Sequence, residues 1–524
     1  MQKVESEHPN MRPYFSAAAV IIIFFVFLFL CWQTEPHGHE YTYLLGSRRI
    51  FDPDFLKHDF IWRHLSPTSW LFDHLVAPLW HWFGYRQIIM LGRLFCWALL
   101  SYTLVLFCEA TGRRYITFVL AIILWILSGQ STMADSKIVS SFEPKALAYP
   151  FFFMAAVMAL NKKTVQAAML SGLVILIHPI VGIWTIFTLG SGYLLNVKKT
   201  GRAELIKYIL ISGLISMPFL LICAWSQGVA GTAGNFDKIY VMFRVPHFTD
   251  PYDFIDTDDF IRIWGFIICS FFSVSLICAG DQFKRRYLQG VIAAITLSFV
   301  VGLIARYFEL FFILKLYPFR FATEIMPFLF FVFTLSFLFS AAAYKKPSTI
   351  FLAFVIIAAH IEVALYENYY NTIKSLPARI VREYHYLTED PPDHAGRGAM
   401  YAWIRKNTPA DSIFITPSYS DFWMRSERAQ VVSFRQAPLD GRINEWLKRL
   451  QDINRGMEFK HRGYRAVAEL RKNQRNLSKQ ELFSLKEKYS ARYYLTDRMR
   501  YTLMDLLVYS ANNYYLYDLN KRKG

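Results

Sequence analysis

The sequence predicts a polytopic α-helical membrane protein with about eleven transmembrane helices and a C-terminal extracytoplasmic α/β domain. Its 524 residues are 54% hydrophobic, 17% aromatic and only 19% charged, whereas soluble chains carry about 25% charged residues. The apolar residues form separate blocks, and Lys/Arg clusters follow every second block. The composition excludes disordered, collagen-like and coiled-coil chains.

The first apolar block runs from Phe15 to Trp32 without a charged residue. It is long enough to cross a membrane and longer than the 7–15 residue core of a signal peptide, so we expect an uncleaved first helix. The other predicted spans are 87–108, 115–128, 146–160, 165–178, 180–196, 208–226, 261–280, 287–305, 324–342 and 348–366.

Positive charge marks one side of these spans. Basic clusters follow the second, fourth, sixth, eighth and tenth blocks, as the positive-inside rule describes for cytoplasmic loops. The clusters are Arg113–Arg114, Lys162–Lys163, Lys198 to Lys207, Lys284–Arg286 and Lys345–Lys346. The N-terminus is therefore predicted to be cytoplasmic. The segments 33–86, 129–145, 227–260 and 306–323 and the tail after Tyr366 are predicted to lie outside.

Two domains are expected. Residues 1–368 form the transmembrane domain, which includes the long first outer loop 33–86, and residues 369–524 form a soluble α/β domain. Strands are predicted at 412–416, 430–434, 491–495 and 514–517, and helices at 398–407 and within 442–489. Residues 370–524 contain 28 Lys/Arg and 17 Asp/Glu, so they hold +11 of the net +17. The tail contains no cysteine, which excludes a disulfide framework there.

The first outer loop contains the most suggestive carboxylates. Asp52 and Asp54 are two residues apart, so in an extended segment they could share a divalent cation. Asp59 could instead be a general base that deprotonates an acceptor hydroxyl. The alternative is a solvated loop in which the Asp-Pro pair caps a short helix.

The other outer segments contain ionisable residues beside or within apolar blocks. Glu143 and Lys145 could bind a sugar hydroxyl and an anionic group, or simply pair with each other at the membrane edge. His178 interrupts a long apolar run and could contact a substrate, although a lone histidine there can be structural.

The third and fourth outer segments contain the candidate phosphate ligands, and the aspartates of the third segment are interpreted as a solvated rim. Arg244 and His247 together suit a phosphate. Arg306 and Arg320 lie in strongly apolar surroundings, where a charge needs a partner or a polar cavity. Arg320 is the leading candidate for a lipid-phosphate ligand, and its alternative is an i,i+4 pair with Glu324.

These charges cluster toward the predicted outer side, which indicates a polar cavity that opens outward. An ion-coupled transporter would place polar groups near the bilayer midplane. The sequence contains no Walker A loop, Rossmann fingerprint, C-x-x-C motif or G-x-S-x-G elbow. The basic surplus is better explained by orientation signals and affinity for anionic lipid or glycan phosphate than by nucleic-acid binding.

Several motifs occur in an order that resembles the GT-C superfamily of integral-membrane glycosyltransferases. More closely, they resemble an uncharacterised bacterial group of GT-C-like membrane proteins. The motifs are IFDPDFLKHDF, SFEPKALAYPF, ILIHPIVGIW, FRVPHF, LYPFRF and the tail segment WIRKNTPADSIFITPSYSDFWMRSERAQVVSFRQAP.

The resemblance implies an enzyme of a bacterial inner membrane that transfers a sugar from a polyprenyl-phosphate-linked donor to a glycan, lipid or protein acceptor outside. Asp52, Asp54 or Asp59 would be the base, or Asp52 and Asp54 metal ligands, and the cofactor stays open between none and Mg²⁺ or Mn²⁺. The remaining roles are phosphate binding for Arg244, His247, Arg306 and Arg320, and sugar or acceptor binding for Glu143 and His178.

One position departs from this group, because Phe248 stands where a second histidine is expected, and this weakens a metal role for His247. Two other functional classes remain open. One is a transporter or lipid flippase, and the other is a non-catalytic protein of envelope polysaccharide assembly. Polar groups at the midplane would favour the transporter.

Overall fold

The computed structural model describes residues 12–64, 67–133, 136–196, 202–229, 235–340, 374, 377–378, 380–381, 383 and 397–521. These residues divide into two compact units. The helical unit comprises the described parts of Met1–Gln33, Met90–Leu220 and His247–Glu383. The mixed unit comprises those of Thr34–Ile89, Leu221–Pro246 and Tyr384–Gly524, so contacts group the first outer loop with the tail.

The described chain is mostly helical. Its first helices are α1 Arg12–Cys31, α2 Gly38–Phe51, α3 Trp70–Val76, α4 Tyr85–Thr111, α5 Tyr115–Leu127, α6 Pro144–Leu160, α7 Thr164–Ile177 and α8 Pro179–Leu194. The later ones are α9 Arg202–Val229, α10 Thr257–Ile277, α11 Gln282–Tyr307, α12 Arg320–Leu338, α13 Gly398–Asn407, α14 Ile443–Ile453, α15 Gly463–Gln474 and α16 Lys479–Tyr489. Shorter helical turns connect several of them.

Within the described ranges, six helices are long and apolar enough to cross a membrane: α1, α4, α9, α10, α11 and α12. Four shorter apolar helices, α5 to α8, have 13–17 residues and therefore extend about 20–26 Å, less than the roughly 30 Å hydrocarbon core. The first ten predicted blocks each coincide with one of these helices, which confirms the membrane character of the chain. The block 348–366 lies outside the described residues.

The centre of the helical unit is α12. Every side chain from Arg320 to Phe337 is buried, as expected for a helix that is apolar on all sides and enclosed by others. The ring of Phe328 packs 5.0 Å from Phe153 of α6, 5.4 Å from Trp125 of α5 and 6.0 Å from Phe107 of α4, measured between ring centroids. Rings from three other helices therefore fix the position of α12.

Glycine allows α7 and α8 to pack closely after the break at His178. A Cβ atom built on Gly182 of α8 would lie 2.2 Å from Cγ1 of Ile175 and 2.4 Å from its Cα. Any larger side chain would therefore displace α8 from α7. By contrast, a Cβ built on Gly213 of α9 meets no atom within 4 Å among the described residues.

The C-terminal part of the mixed unit contains a five-stranded mixed sheet with the order β2-β1-β3-β5-β4. The strands are β1 Ile413–Ile415, β2 Ala429–Gln430, β3 Ala491–Thr496, β4 Leu507–Ala511 and β5 Tyr514–Asp518. The first three are parallel, and β5 pairs antiparallel with β3 and β4. The prediction of an α/β tail is confirmed.

Two predictions for the tail change in detail. The predicted strand 430–434 forms a ladder only at Ala429–Gln430, and its following residues are buried without continuing it. β4 was not predicted from its sequence LVYSA, and it joins β5 through Asn512 and Asn513, both in the left-handed region at φ 48° and 64°. Two successive residues with positive φ form the tight turn whose twist matches a hairpin.

We expect Gly182→Ala to destabilise the helical unit, because the new methyl group would meet the backbone of α7. The loss should be about 1–3 kcal/mol, as for overpacked cores. Gly213→Ala is the matched control and should be neutral or slightly stabilising, because alanine has the higher helix propensity. Thermal unfolding of both purified variants in detergent measures the difference. Equal melting temperatures for the two variants would contradict the close packing of α7 on α8.

Candidate functional site

A buried cluster of charges surrounds Glu324 of α12 in the helical unit. Glu324 is fully buried, and its carboxylate accepts hydrogen bonds from the hydroxyls of Ser136 and Tyr149. Two cations also lie beside Glu324, with Lys145 Nζ 3.9 Å and Arg320 Nε 3.7 Å from its Oε1. The i,i+4 pair of Arg320 and Glu324, given above as the alternative, is therefore present as part of a larger network.

Glu143 extends this network at the start of α6. Its Oε1 lies 3.7 Å from Lys145 Nζ and accepts a hydrogen bond of 3.2 Å from Ser141 Oγ. Lys145 also donates to Ser136 Oγ at 3.4 Å. The four charged residues Glu143, Lys145, Arg320 and Glu324 are each at most 8% exposed. Among the described residues, two carboxylates thus face two cations in a region where an uncompensated charge would be strongly unfavourable.

Three helices of the helical unit begin at this cluster. Glu143 is the N-cap of α6, His178 is the N-cap of α8, and Arg320 is the first residue of α12. Trp184 of α8 donates from Nε1 to the carbonyl of Leu316, just before α12, at 2.6 Å. Helix N-termini carry partial positive charge and unpaired N–H groups, so their convergence favours an anion.

His178 is oriented by its own helix end. Its Nδ1 accepts a hydrogen bond from the N–H of Val181 at 3.3 Å, which leaves Nε2 as the ring atom that can donate to a ligand. The charges of Arg320 and Lys145 both act electrostatically on its ring. The structure therefore brings four predicted substrate residues, Glu143, Lys145, His178 and Arg320, into one neighbourhood.

Arg306 and His247 also belong to the helical unit. Arg306 Nε pairs with Asp250 Oδ1 at 3.0 Å, and Asp250 is fully buried. Aromatic rings link this region to the cluster. The ring of Phe248, next to His247, lies 6.0 Å from that of Tyr317, and the Arg320 guanidinium lies 4.9 Å from the same Tyr317 ring.

Arg244 lies in the mixed unit. Its guanidinium donates to the carbonyl of Arg435 and lies 5.3 Å from the centre of the Phe434 ring. These contacts hold Arg244 against the segment that follows β2.

The exposed carboxylates of the first outer loop form a solvated turn in the mixed unit. Asp52 Oδ1 accepts a hydrogen bond of 3.1 Å from the N–H of Asp54, and Asp52 Oδ2 lies 3.7 Å from Arg48 Nη2. The Asp54 side chain is 84% exposed and accepts a hydrogen bond of 2.9 Å from Lys57, which holds the pKa of Asp54 below its ordinary value. Asp54 is therefore ionised at neutral pH.

No group of three or more His, Cys, Asp or Glu within the described ranges is arranged to hold a metal ion. The metal role of Asp52 and Asp54 stays a prediction.

Asp59 is buried in the mixed unit and joins the first outer loop to the tail. Its Oδ1 accepts from the N–H groups of Ile61 and Trp62, and its Oδ2 from Trp423 Nε1 and the N–H of Gln430 at 2.7 and 2.9 Å. Burial raises the pKa of Asp59, and these hydrogen bonds oppose that rise. Four donors around one carboxylate favour a structural role over proton abstraction.

A second buried carboxylate, Asp73 of α3, lies against α2. Ser69 Oγ donates to it at 2.6 Å, and a Cβ built on Gly46 would lie 2.5 Å from its Oδ2. Only a residue without a side chain allows this contact at position 46. Burial raises the pKa of Asp73 to about 7.

Sequence reasoning missed the neutral residues of the cluster. Ser136 and Tyr149 bind a carboxylate that follows them by 188 and 175 positions, and one sequence gives no sign of so distant a contact. Gln130 was missed as well. Its side chain accepts from the N–H groups of Ile138 and Val139 at 3.1 and 2.8 Å, which shapes the segment that carries Ser136.

A family model described as a domain of unknown function (DUF6798) matches residues 396–453 of the mixed unit. This range includes α13, β1, β2 and α14, and it contains the whole tail segment quoted above, from Trp403 to Pro438. No curated protein matches the chain.

We expect Asp73→Asn to remove a pH dependence of stability. Because the pKa of Asp73 is raised from 3.8 to about 7, the folded state retains a proton that the unfolded state releases. Its contribution is therefore complete below about pH 4 and is lost as pH rises through about 7, by up to ~4 kcal/mol.

Melting temperatures of the purified chain between pH 4.5 and 8 measure this effect. The variant should lose less stability than the wild-type chain over that interval, whereas the exposed-site control Asp54→Asn should follow the wild type. Parallel curves for Asp73→Asn and the wild type would show that Asp73 does not titrate in this range.

Proposed function

We propose that the protein is a membrane glycosyltransferase of the GT-C type, which transfers a sugar from a polyprenyl-phosphate-linked donor to an acceptor at the outer membrane face. One observation carries this proposal. Lys145, His178 and Arg320 lie where the N-termini of α6, α8 and α12 converge. Such a site offers the phosphate of the donor two cations and several hydrogen-bond donors, for which the phosphate competes with Glu143 and Glu324.

The positive charge of Lys145 and Arg320 matters most in the transition state of sugar transfer. The acceptor hydroxyl attacks the anomeric carbon, its proton passes to a base, and the bond from that carbon to the phosphate oxygen breaks. Polyprenyl phosphate leaves with the bonding electrons and an increased negative charge. Lys145, Arg320 and the helix ends are oriented before the reaction by Glu324 and Glu143, so they stabilise that charge without reorganising.

Two carboxylates remain candidates for the base. Asp54 is exposed and ionised, and Glu143 lies beside Lys145 in the cluster. We assign Asp59 a structural role, in which its hydrogen bonds hold the first outer loop against the tail within the mixed unit. A divalent cation, if the reaction uses one, would be held by Asp52 and Asp54.

The orientation of the chain supports an outer site. We infer a bacterial inner-membrane protein with a cytoplasmic N-terminus, since the basic clusters follow every second span. The helices α6, α8 and α12, whose N-termini converge at the cluster, are all ones that this pattern predicts to begin outside. The acceptor would then be a glycan, lipid or protein of the envelope, and Arg306 and His247 are candidates for further donor contacts.

A lipid or solute transporter is the second candidate. It is favoured by the four short apolar helices and by the break at His178 between α7 and α8, because interrupted helices line the sites of many transporters. Transbilayer movement of a labelled polyprenyl-linked sugar in proteoliposomes, without transfer to any acceptor, would favour this candidate over the enzyme.

We expect Arg320→Gln and Lys145→Gln each to lower sugar transfer by about 10²–10³-fold, because each removes charge stabilisation from the leaving phosphate. Transfer from radiolabelled polyprenyl-phosphate sugars in membranes measures the rate. Arg262→Gln is the matched control, since Arg262 pairs with Asp259 at the start of α10 and lies outside the cluster. Rates for both cluster variants that equal the control would contradict the proposal.

The same assay separates the carboxylates. The base variant, Asp54→Asn or Glu143→Gln, should abolish transfer. Asp54→Asn should keep the melting temperature, whereas Glu143→Gln should lower it as well, because it leaves the buried Lys145 without one of its carboxylates. Asp59→Asn should instead lower the melting temperature, because it disturbs four hydrogen bonds. Wild-type transfer by both Asp54→Asn and Glu143→Gln would exclude both as the base.

A further inference from the structure

The far end of α6 contains a second basic site. The turn between α6 and α7 places Lys162 and Lys163 at a cavity of about 500 Å³, which Tyr193, Lys207 and Phe283 also line. Such a volume is typical of small-ligand sites. Because α6 has 17 residues, its ends are about 25 Å apart, so this lysine cavity is separate from the Glu324 cluster.

The turn itself fixes the two lysines. Lys162 adopts the left-handed conformation at φ 59°, and the N–H of Lys163 donates back to the carbonyl of Met158 at 2.8 Å. Lys162 Nζ lies 5.0 Å from the centre of the Phe283 ring, where a cation is attracted by the ring face.

The charge of the cavity lining is positive. Lys207 pairs with Glu204, another lining residue, at 2.7 Å. Among the described lining residues, Lys162, Lys163 and Lys207 therefore exceed the carboxylate of Glu204 by two positive charges. An occupant with two negative charges would neutralise the lining.

Tyr193 provides an independent sign of a ligand. It is 1% exposed and lines the cavity, yet within the described ranges its hydroxyl makes no hydrogen bond of normal geometry. The Thr164 hydroxyl, which also lines the cavity, is a polar neighbour of the Tyr193 hydroxyl but is not aligned with it for a hydrogen bond. Because buried polar groups are normally hydrogen-bonded, this hydroxyl favours a ligand that provides an acceptor, such as a phosphate oxygen.

The surfaces beside the cavity are suited to acyl chains. On α7, Val165 and Met169 are 45% and 51% exposed, and on α9, Ile206 and Leu210 are 54% and 65% exposed. Each pair has i,i+4 spacing and so forms one apolar face. Tyr208 donates to Ser171 Oγ at 2.8 Å and holds the two helices together.

We propose that the lysine cavity binds the phosphate headgroup of an anionic phospholipid whose acyl chains lie along α7 and α9. The positive-inside pattern places this end of α6 at the cytoplasmic surface, where anionic headgroups bind basic pockets between helices. This proposal does not depend on the proposed transferase activity.

Native mass spectrometry of the full chain in detergent tests it, with cardiolipin as the doubly charged probe and phosphatidylcholine as the zwitterionic one. The wild-type chain should retain cardiolipin and release phosphatidylcholine. Combined Lys162→Gln, Lys163→Gln and Lys207→Gln should weaken cardiolipin binding by about tenfold or more, as loss of several basic contacts predicts. The control removes three basic residues of the same predicted side, Arg114, Lys284 and Arg285, and should bind as the wild type does.

Tyr193→Phe separates the cavity from general surface charge and keeps the core volume. It should weaken cardiolipin binding severalfold and leave the melting temperature nearly unchanged. Equal binding by the triple variant and its control, or displacement of cardiolipin by millimolar inorganic phosphate, would overturn the lipid assignment. A triple variant that fails to fold leaves Tyr193→Phe as the decisive measurement, and wild-type affinity of that variant would overturn the site.

Discussion

The carboxylate of Glu324 is the constraint on which the helical unit depends. It binds Ser136 from the segment after α5, Tyr149 from α6 and the cations Lys145 and Arg320, all in surroundings without solvent. Removing one partner of a buried charge network typically costs about 3–5 kcal/mol, because the remaining charges lose their compensation. Glu324 therefore determines where α6 can lie against α12 and keeps two cations at one place.

This constraint has a functional consequence. A cation that is already paired in the resting protein needs no reorganisation when an anionic ligand arrives, but the ligand must compete with Glu324 and Glu143 for it. The helix N-termini shift that competition toward the ligand, since their N–H groups and partial charges add to Lys145 and Arg320. At the other end of α6, the described lysines that line the cavity outnumber the described carboxylates there. An anion at that end therefore meets less competition than one at the Glu324 cluster.

The sequence predicts those features of the chain that depend on local pattern. Uncharged blocks such as Phe15 to Trp32 mark the apolar helices, and alternating residues mark β1, β3 and β5. The ends of helices could be placed to within a few residues, because Pro144 and Pro179 stand at first-turn positions.

Contacts between distant segments could not be predicted. The loop sequence indicates Asp59 as one of three candidate bases, but no local pattern indicates its hydrogen-bond donors Trp423 and Gln430, which lie 364 and 371 residues later. The i,i+4 spacing of Arg320 and Glu324 indicates their pair, which is present, but nothing local indicates Tyr149 as a further partner of Glu324. The most direct measurement of the central interaction is a double-mutant cycle of Tyr149→Phe and Glu324→Gln on the free energy of unfolding. The buried hydrogen bond between Tyr149 and Glu324 predicts a coupling free energy of about 1–3 kcal/mol. Additive effects within about 0.5 kcal/mol would contradict it.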